Sequence, residues 1–464
     1  MPNGAAPKAG EYFRSSGHAR TLKRIAETNG KAFYEGDIAE EIAAYSHAHH
    51  AALTLEDLAQ QRADWCGTIS KTFDDCALHE IPPNGQGIAA LMGLGILSHT
   101  GIRDMDAEDP RALHLQIEAM TLALRDAAAF VGDLDHMKTV TVDDLLDDGY
   151  LAARARKIDL PRATDFGAGA PNQGGTVYLT AADASGMMVS FIQSNYAGFG
   201  SGVVVPGTGI ALQNRGAGFS LDPAHQNCGG PNKRPFHTII PGFLMGPDGP
   251  RMSFGVMGGP MQAQGHVQMV LRTQLFGQDP QMAADAPRWR VTNGLGLACE
   301  TTLPAATLDA LRELGHQLSL AAPARTGPPS ATDADPTGPT SSRQNTRQLQ
   351  IVLPRAVQRD LVPGIGVAHH PGRRIVPEHV CQPPVSIRTA IAADHHARML
   401  RKPHADTTAM VQRYPGGTAG DIQHRIEQRP VADGIRTILH RLCFAVGRGN
   451  GAAVQMIAPD HHRR

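Results

Sequence analysis

The apolar residues of this chain change their period at Thr176. Ahead of that position they recur every three or four residues. HARTLKRIAETNGKAFY at 18–34 sets Leu22, Ile25 and Ala26 on one stripe, and DIAEEIAAYSHAHHAA at 37–52 repeats the pattern with Ile38, Ile42 and Tyr45. LTLEDLAQ at 53–60 opens a short helix on a Thr54/Asp57 capping box, and residues 112–131 and 143–158 read as further helices. From Thr176 the period is two: TVYLTAADASGMMVSFIQSN reads as a β-hairpin turning at 183–186. Helices return at 266–277 and 307–315. Helices, then strands, then helices predict a layered α+β fold rather than alternating βαβ units.

Two punctuating stretches invite a chemical reading. A strand-like run at 72–81, the turn cluster PPNGQG at 82–87 and the apolar helix IAALMGLGIL follow the order of a phosphate cradle. The lysine and hydroxyl of a nucleotide loop are absent, so the segment reads as structural. His47, His49 and His50 have no carboxylate or Cys at ligand spacing and read as a solvated helix end. ATDFGAGAPNQGG at 163–175 reads as an exposed linker.

Charge divides the chain. The net charge is −1, but residues 321–464 hold 19 of the 43 basic and 10 of the 44 acidic side chains, so that the tail is +9 and residues 1–320 are −10. Of 22 aromatics only Tyr414 and Phe444 lie in the tail, too few large apolar groups to offset its ordering entropy. The tail is therefore expected to be largely unstructured, or the product of a frame shift or fusion. Its ten His have no ligand spacing, and no aromatic interleaving supports nucleic-acid binding. No run of 18 apolar residues is present, and no apolar stretch backs the basic residues at the start, so a cytoplasmic location without membrane contact is expected. Six scattered cysteines without a CxxC pair read as reduced thiols.

Cleavage of the linker before Thr176 would leave a threonine hydroxyl beside its own α-amino group. The hydroxyl is a weak nucleophile that needs a base, and an α-amine with a pKa near about 8 is matched to neutral pH. The surrounding text makes this concrete. GGTVYLTAADASGMMVSFIQSNYAGFGSGVVVPGTGIALQNRGAGFSL, GPNKRPFHTIIPGF and FGVMGGPMQAQGHVQMVLRTQLFGQDP resemble the small subunit of the γ-glutamyltransferase family. TLKRIAETNGKAFYEGDIAEEI, LTLEDLA and EIPPNGQGIAAL resemble the second part of its large subunit, so that the resemblance covers most of 11–320.

The resemblance implies an N-terminal-nucleophile hydrolase with a four-layer α/β/β/α sandwich, incomplete here, made as a precursor that cleaves itself between Gly175 and Thr176. It implies a large-subunit-like region 1–175, a small-subunit-like catalytic region 176–320 and an unrelated tail 321–464. Thr176 would attack the amide carbonyl and pass the acyl group to water or an amine. Gly258 and Gly259 would donate backbone N–H groups to the oxyanion, where one preorganised donor is worth about 3–4 kcal/mol. Ser194 stands where the family has a hydroxyl that assists the nucleophile. Neither metal nor organic cofactor is implied.

Departures from the family pattern bear on substrate. Ala217 and Gly218 stand where the family has the acidic pair that holds a donor ammonium, and His237 and Thr238 replace two serines that help bind its carboxylate. Arg215, His237 and Thr238 become candidate contacts to an anionic substrate. The NRGAGFSL and KRPFHTIIPG forms are similar to the oxamate-amidohydrolase and acylase branch. Two enzymatic expectations stand, γ-glutamyl transfer and hydrolysis of a small acid amide. A third is an inactive remnant, since the resemblance enters partway into the large subunit, past its carboxylate-binding arginine.

Overall fold

The period change at Thr176 marks the start of the β3–β4 hairpin, while the helical layer and the larger sheet each draw on residues from both sides of it. A computed structural model of the chain describes residues 6–8, 10–165, 175–183, 187–321, 349–352 and 452–457. Four helices come first, α1 (Ser16–Glu27), α2 (Lys31–Glu35), α3 (Asp37–Ala48) and α4 (Leu55–Gln60). The Thr54/Asp57 capping box that opens α4 is present. Ile38 and Ile42 are buried as expected, and His47, His49 and His50 are exposed. The stripe expected on α1 is met in part: Ile25 packs on the cluster around Ile38 and Ile42, but Leu22 is 62% exposed, and Thr21 faces inward with its hydroxyl donating to the Thr208 carbonyl at 2.9 Å. Backbone approach decides this rotation, because a Cβ on Gly17 would lie 2.8 Å from the Gly207 carbonyl oxygen.

The run at 72–81 is a hairpin rather than one strand. Strands β1 (Ile69–Phe73) and β2 (Cys76–Glu80) meet at Asp74, whose φ of 59° suits a short polar side chain in a tight turn. Helices α5 (Gly87–Leu97) and α6 (Pro110–Phe130) form the helical core, α5 with every residue buried. The helix expected over 143–158 is two, α7 (Val142–Leu146) and α8 (Asp148–Ala155), because the Asp147 side chain accepts from the Tyr150 amide and starts a new helix.

The expected hairpin is strands β3 (Gly175–Ala182) and β4 (Met188–Tyr196). Then follow β5 (Val204–Val205), β6 (Ile210–Ala211), β7 (Gly242–Gly246), β8 (Gly249–Val256), α9 (Met261–Val270), α10 (Pro280–Asp285), β9 (Trp289–Val291), β10 (Gly296–Glu300), α11 (Ala305–Glu313) and β11 (Gln317–Ala321). The linker is tied down where it leaves the helical region: Ala163 is 6% exposed and its amide donates to the Leu314 carbonyl at 2.6 Å. Residues 166–174 lie outside the described residues.

A five-stranded antiparallel sheet runs β1-β2-β7-β8-β12, where β12 is Leu349–Val352; a second sheet runs β13-β4-β3, where β13 is Ala452–Ile457. Helices α5 and α9 lie on the first sheet, with α6 packed on both helices, and β8 packs against β3 and β4. The layers are therefore α/β/β, three of the four expected; among the described residues no helix packs extensively on β3 or β4. Two pieces of the tail expected to be unstructured are strands. Leu349–Val352 pairs with Ser253–Val256 and Ala452–Ile457 with Met188–Gln193, because each short apolar run finds an open strand edge. Cys66, Cys76, Cys228 and Cys299 are free thiols; Cys381 and Cys443 lie outside the described residues.

Candidate active site

Thr176 is the second residue of β3, half-buried, on the face that looks onto β8. Its register partner is Ser194, and its hydroxyl donates to the Ser194 hydroxyl at 3.2 Å. The register slips between Gly175 and Thr176, where Gly175 pairs with Tyr196 and Asn195 is the extra residue. A bulge re-aims side chains at a strand end, and this one falls on the bond expected to be cut. Tyr196 beside it has φ of 76°, an uncommon conformation for a large side chain. Its amide donates to Ser194 Oγ at 2.9 Å, so Ser194 accepts from both Thr176 and the backbone and is held in place.

The sheets align step by step toward Thr176. The Thr180 and Ser253 hydroxyls meet at 2.7 Å, and two residues on along each strand the Tyr178 ring lies against Gly255, where a Cβ would be 2.4 Å away. The turn after β8, Met257 to Gly259, continues that strand in the direction of the Thr176 end of β3. Met257 packs with Tyr178 and Ile192 in that direction. Gly258 (φ 122°) and Gly259 (φ 60°) form the turn into α9, a conformation open to glycine and strained for side-chain-bearing residues. Gln86, from the PPNGQG turn, anchors it: its side-chain amide donates to the carbonyls of Gly259, at 2.8 Å, and of Thr238, while its own backbone amide donates to the His237 carbonyl at 2.8 Å. The segment that resembled a phosphate cradle thus holds the glycine turn to the 237–238 segment.

Arg215 and Thr238 come together beside this point. Arg215 is 4% exposed, its Nη1 donates to Thr238 Oγ1 at 2.8 Å, and its guanidinium lies 4.9 Å from the centre of the Tyr196 ring. Its Nε and Nη2 have no hydrogen-bond partner among the described residues. Burial pulls its pKa down to about 10, so it remains a cation at neutral pH. His237 precedes Thr238 in the same segment. Burial, with the Arg215 charge second, holds its imidazole well below the usual range, and its Nδ1 accepts from the Ile239 amide at 3.2 Å. It is a neutral ring, able to contact an anion only through an N–H and not as a charge.

Residues 1–350 match the family model for gamma-glutamyltranspeptidase, three quarters of the chain. The chain belongs to the gamma-glutamyltranspeptidase family. The match runs 30 residues past the point where the resemblance was expected to stop, and reaches the first two residues of β12. Among relatives, the chain is 38% identical over 326 residues to an oxamate amidohydrolase proenzyme of Klebsiella pneumoniae, covering 69% of this chain and 61% of that protein. It is 33% identical over 321 residues to a glutathione hydrolase-like proenzyme of Bacillus subtilis, covering 68% and 60%. The crystal structure of a cephalosporin acylase from Bacillus halodurans is similar at a TM-score of 0.65 and 49% identity, over 69% of this chain and 58% of that one. The chain thus spans about three fifths of the length of these relatives.

Within this gamma-glutamyltranspeptidase-family site the structure joins Thr176 to Ser194 and Arg215 to Thr238, and links His237 and Thr238 to Gly259 through Gln86. Sequence reasoning missed Tyr196 and Gln86. Tyr196 carried no local signal, since its role depends on a left-handed backbone and on a guanidinium from another segment. Gln86 could have been found by asking which polar side chain in a turn otherwise made of Pro, Asn and Gly needs a buried partner.

Proposed function

We propose that this chain is a self-processing Thr-nucleophile amidohydrolase or acyltransferase acting on amides of small acids. The observation that carries the reading is Thr176 Oγ1 donating to Ser194 at a bulged strand start. In processing, Thr176 Oγ attacks the Gly175 carbonyl carbon, the Gly175–Thr176 amide rearranges to an ester, and water releases a Gly175 carboxylate and a free Thr176 amine. The products are a 1–175 large-subunit-like and a 176–464 small-subunit-like segment. In turnover the freed amine takes the Oγ proton as Oγ attacks the substrate carbonyl, then passes that proton to the departing amine. Backbone N–H groups of the glycine turn stabilise the oxyanion. Water or an amine then takes the acyl group from the Thr176 ester.

For the substrate, the free donors of Arg215 support an acyl group bearing a carboxylate, and Ala217 and Gly218 offer no carboxylate to hold an ammonium. This favours an oxamate- or glutaryl-type amide over a γ-glutamyl donor. The relatives named oxamate amidohydrolase and cephalosporin acylase support the same direction. The test is purification of the full chain. Two polypeptides, the second beginning at Thr176, are expected, with release of the amine from oxamate or glutaryl anilide faster than from γ-glutamyl anilide. Thr176→Ala should leave one uncut chain without turnover. Cleavage or turnover persisting in that variant would remove the nucleophile assignment, and a preference for the γ-glutamyl anilide would reverse the substrate assignment.

A further inference from the structure

Outside the Thr176 site, three buried side chains converge between α6 and the segment that follows α11. His114 and Glu118 are four residues apart on α6 and so share one face of it. His316 follows Gly315 (φ 101°), where the Gly315 amide donates to the Arg312 carbonyl at 2.9 Å and the His316 amide to the Leu311 carbonyl at 3.1 Å. That pair of bonds is a Schellman motif, and it fixes the direction in which the chain leaves α11. His114 is 0%, Glu118 1% and His316 5% exposed, and one ligand atom from each lies within 4.8 Å of the other two.

We propose that His114, Glu118 and His316 form a site for one divalent transition-metal ion of the zinc class, which clamps α6 to the α11–β11 connection. His114 Nε2 lies 3.0 Å from the Asp159 carbonyl, which can only accept. The proton therefore sits on Nε2 and the Nδ1 lone pair points into the cluster, the second-shell arrangement common for metal-ligating His. His114 Nδ1 and His316 Nε2 are 2.9 Å apart. Two nitrogens on a tetrahedral zinc ion, at about 2.0–2.1 Å each, are about 3.3 Å apart, so binding needs the rings to part by only a few tenths of an ångström. Glu118 supplies the anionic ligand, and the Thr164 amide, 3.3 and 3.4 Å from its two oxygens, steadies it. A small cavity lined by Glu118, His316, Thr121, Thr164, Gly294 and Gly296 leaves room for a fourth ligand the size of a water. Two imidazoles with one carboxylate and an open position suit a borderline cation better than calcium or magnesium, which take oxygen ligands.

The test uses the full chain, stripped with chelator and titrated with Co²⁺ and then Zn²⁺. One equivalent of Co²⁺ should give the visible absorption of a four-coordinate site and be displaced by Zn²⁺. Zn²⁺ should raise Tm and slow amide exchange in 110–130 and 314–321. Glu118→Gln and His316→Gln should each weaken binding at least tenfold. Binding undiminished in both variants would place the metal elsewhere on the chain and overturn the site. Should the variants fail to fold, wild-type exchange decides alone: no slowing in either segment at saturating Zn²⁺ overturns the proposal.

Discussion

Arg215 concentrates the chemistry of this chain in one side chain. A buried guanidinium with two idle donors is costly to the fold, since each unsatisfied buried polar group costs about 1–3 kcal/mol. It is retained where an anion completes it. Arg215→Gln should therefore raise KM for an anionic amide by about 10–100-fold, the worth of a charge-assisted hydrogen bond of about 1.5–3 kcal/mol, while Tm holds or rises. Steady-state kinetics beside a melting curve check both halves, and a large fall in Tm with KM unchanged would make Arg215 a structural residue. His237 makes a prediction about pH. Its folded-state pKa is depressed, so as pH falls below the ordinary value of 6.5 the unfolded chain binds a proton that the folded chain refuses. Stability is full above that value and declines below it, by up to about 1.4 kcal/mol per pH unit per such group. His237→Gln should flatten the loss of Tm between pH 6.5 and 5; an unchanged slope would show that His237 takes up a proton in the folded state.

At the scale of the element, β8 sets the distance between the sheets. Gly255 is empty of side chain because the Tyr178 ring occupies the place of its Cβ, at 2.4 Å. Tyr178 is itself fastened by its hydroxyl to Ser190 at 2.6 Å and to Ser253 at 3.3 Å, so it cannot give way. Gly255→Ala should then cost about 1–3 kcal/mol as overpacking does, seen as a lower Tm, and should impair cleavage before Thr176 by moving the glycine turn out of line. Normal stability with normal processing would mean that the sheets are free to part. The hairpin β3–β4 was legible from its period of two. The short Asp-led breaks at Asp74 and Asp147 were not, because an Asp in a turn or at a helix start reads locally like any polar residue in an apolar-periodic stretch.

For the whole molecule, the tail is the element that composition misjudged in part. It is too poor in aromatics to build a core, yet two of its short runs pair with β8 and β4. Ending the chain at Ala321 would uncover the β8 edge at Ser253–Val256 and the β4 edge at Met188–Gln193. We expect the shortened protein to lose several degrees of Tm and to associate through the bared strands, measured by calorimetry and light scattering. A monomer of unaltered Tm would show that neither pairing contributes.

The sequence by itself determined what depends on neighbours along the chain: the helical and strand periods, the capping box at Thr54, the hairpin that begins at Thr176, and a threonine with the text of its family around it. Tertiary structure decided what depends on residues far apart in sequence. Thr21 rather than Leu22 faces inward on α1 because a glycine backbone meets that face. Gln86 anchors a turn 173 residues away, and His114 faces a histidine 202 residues on. The pKa of His237 is held below its usual range by burial of its ring and by the Arg215 guanidinium. A side chain's charge, rotation and partner are properties of the space it is folded into, and no local pattern of residue types records that space.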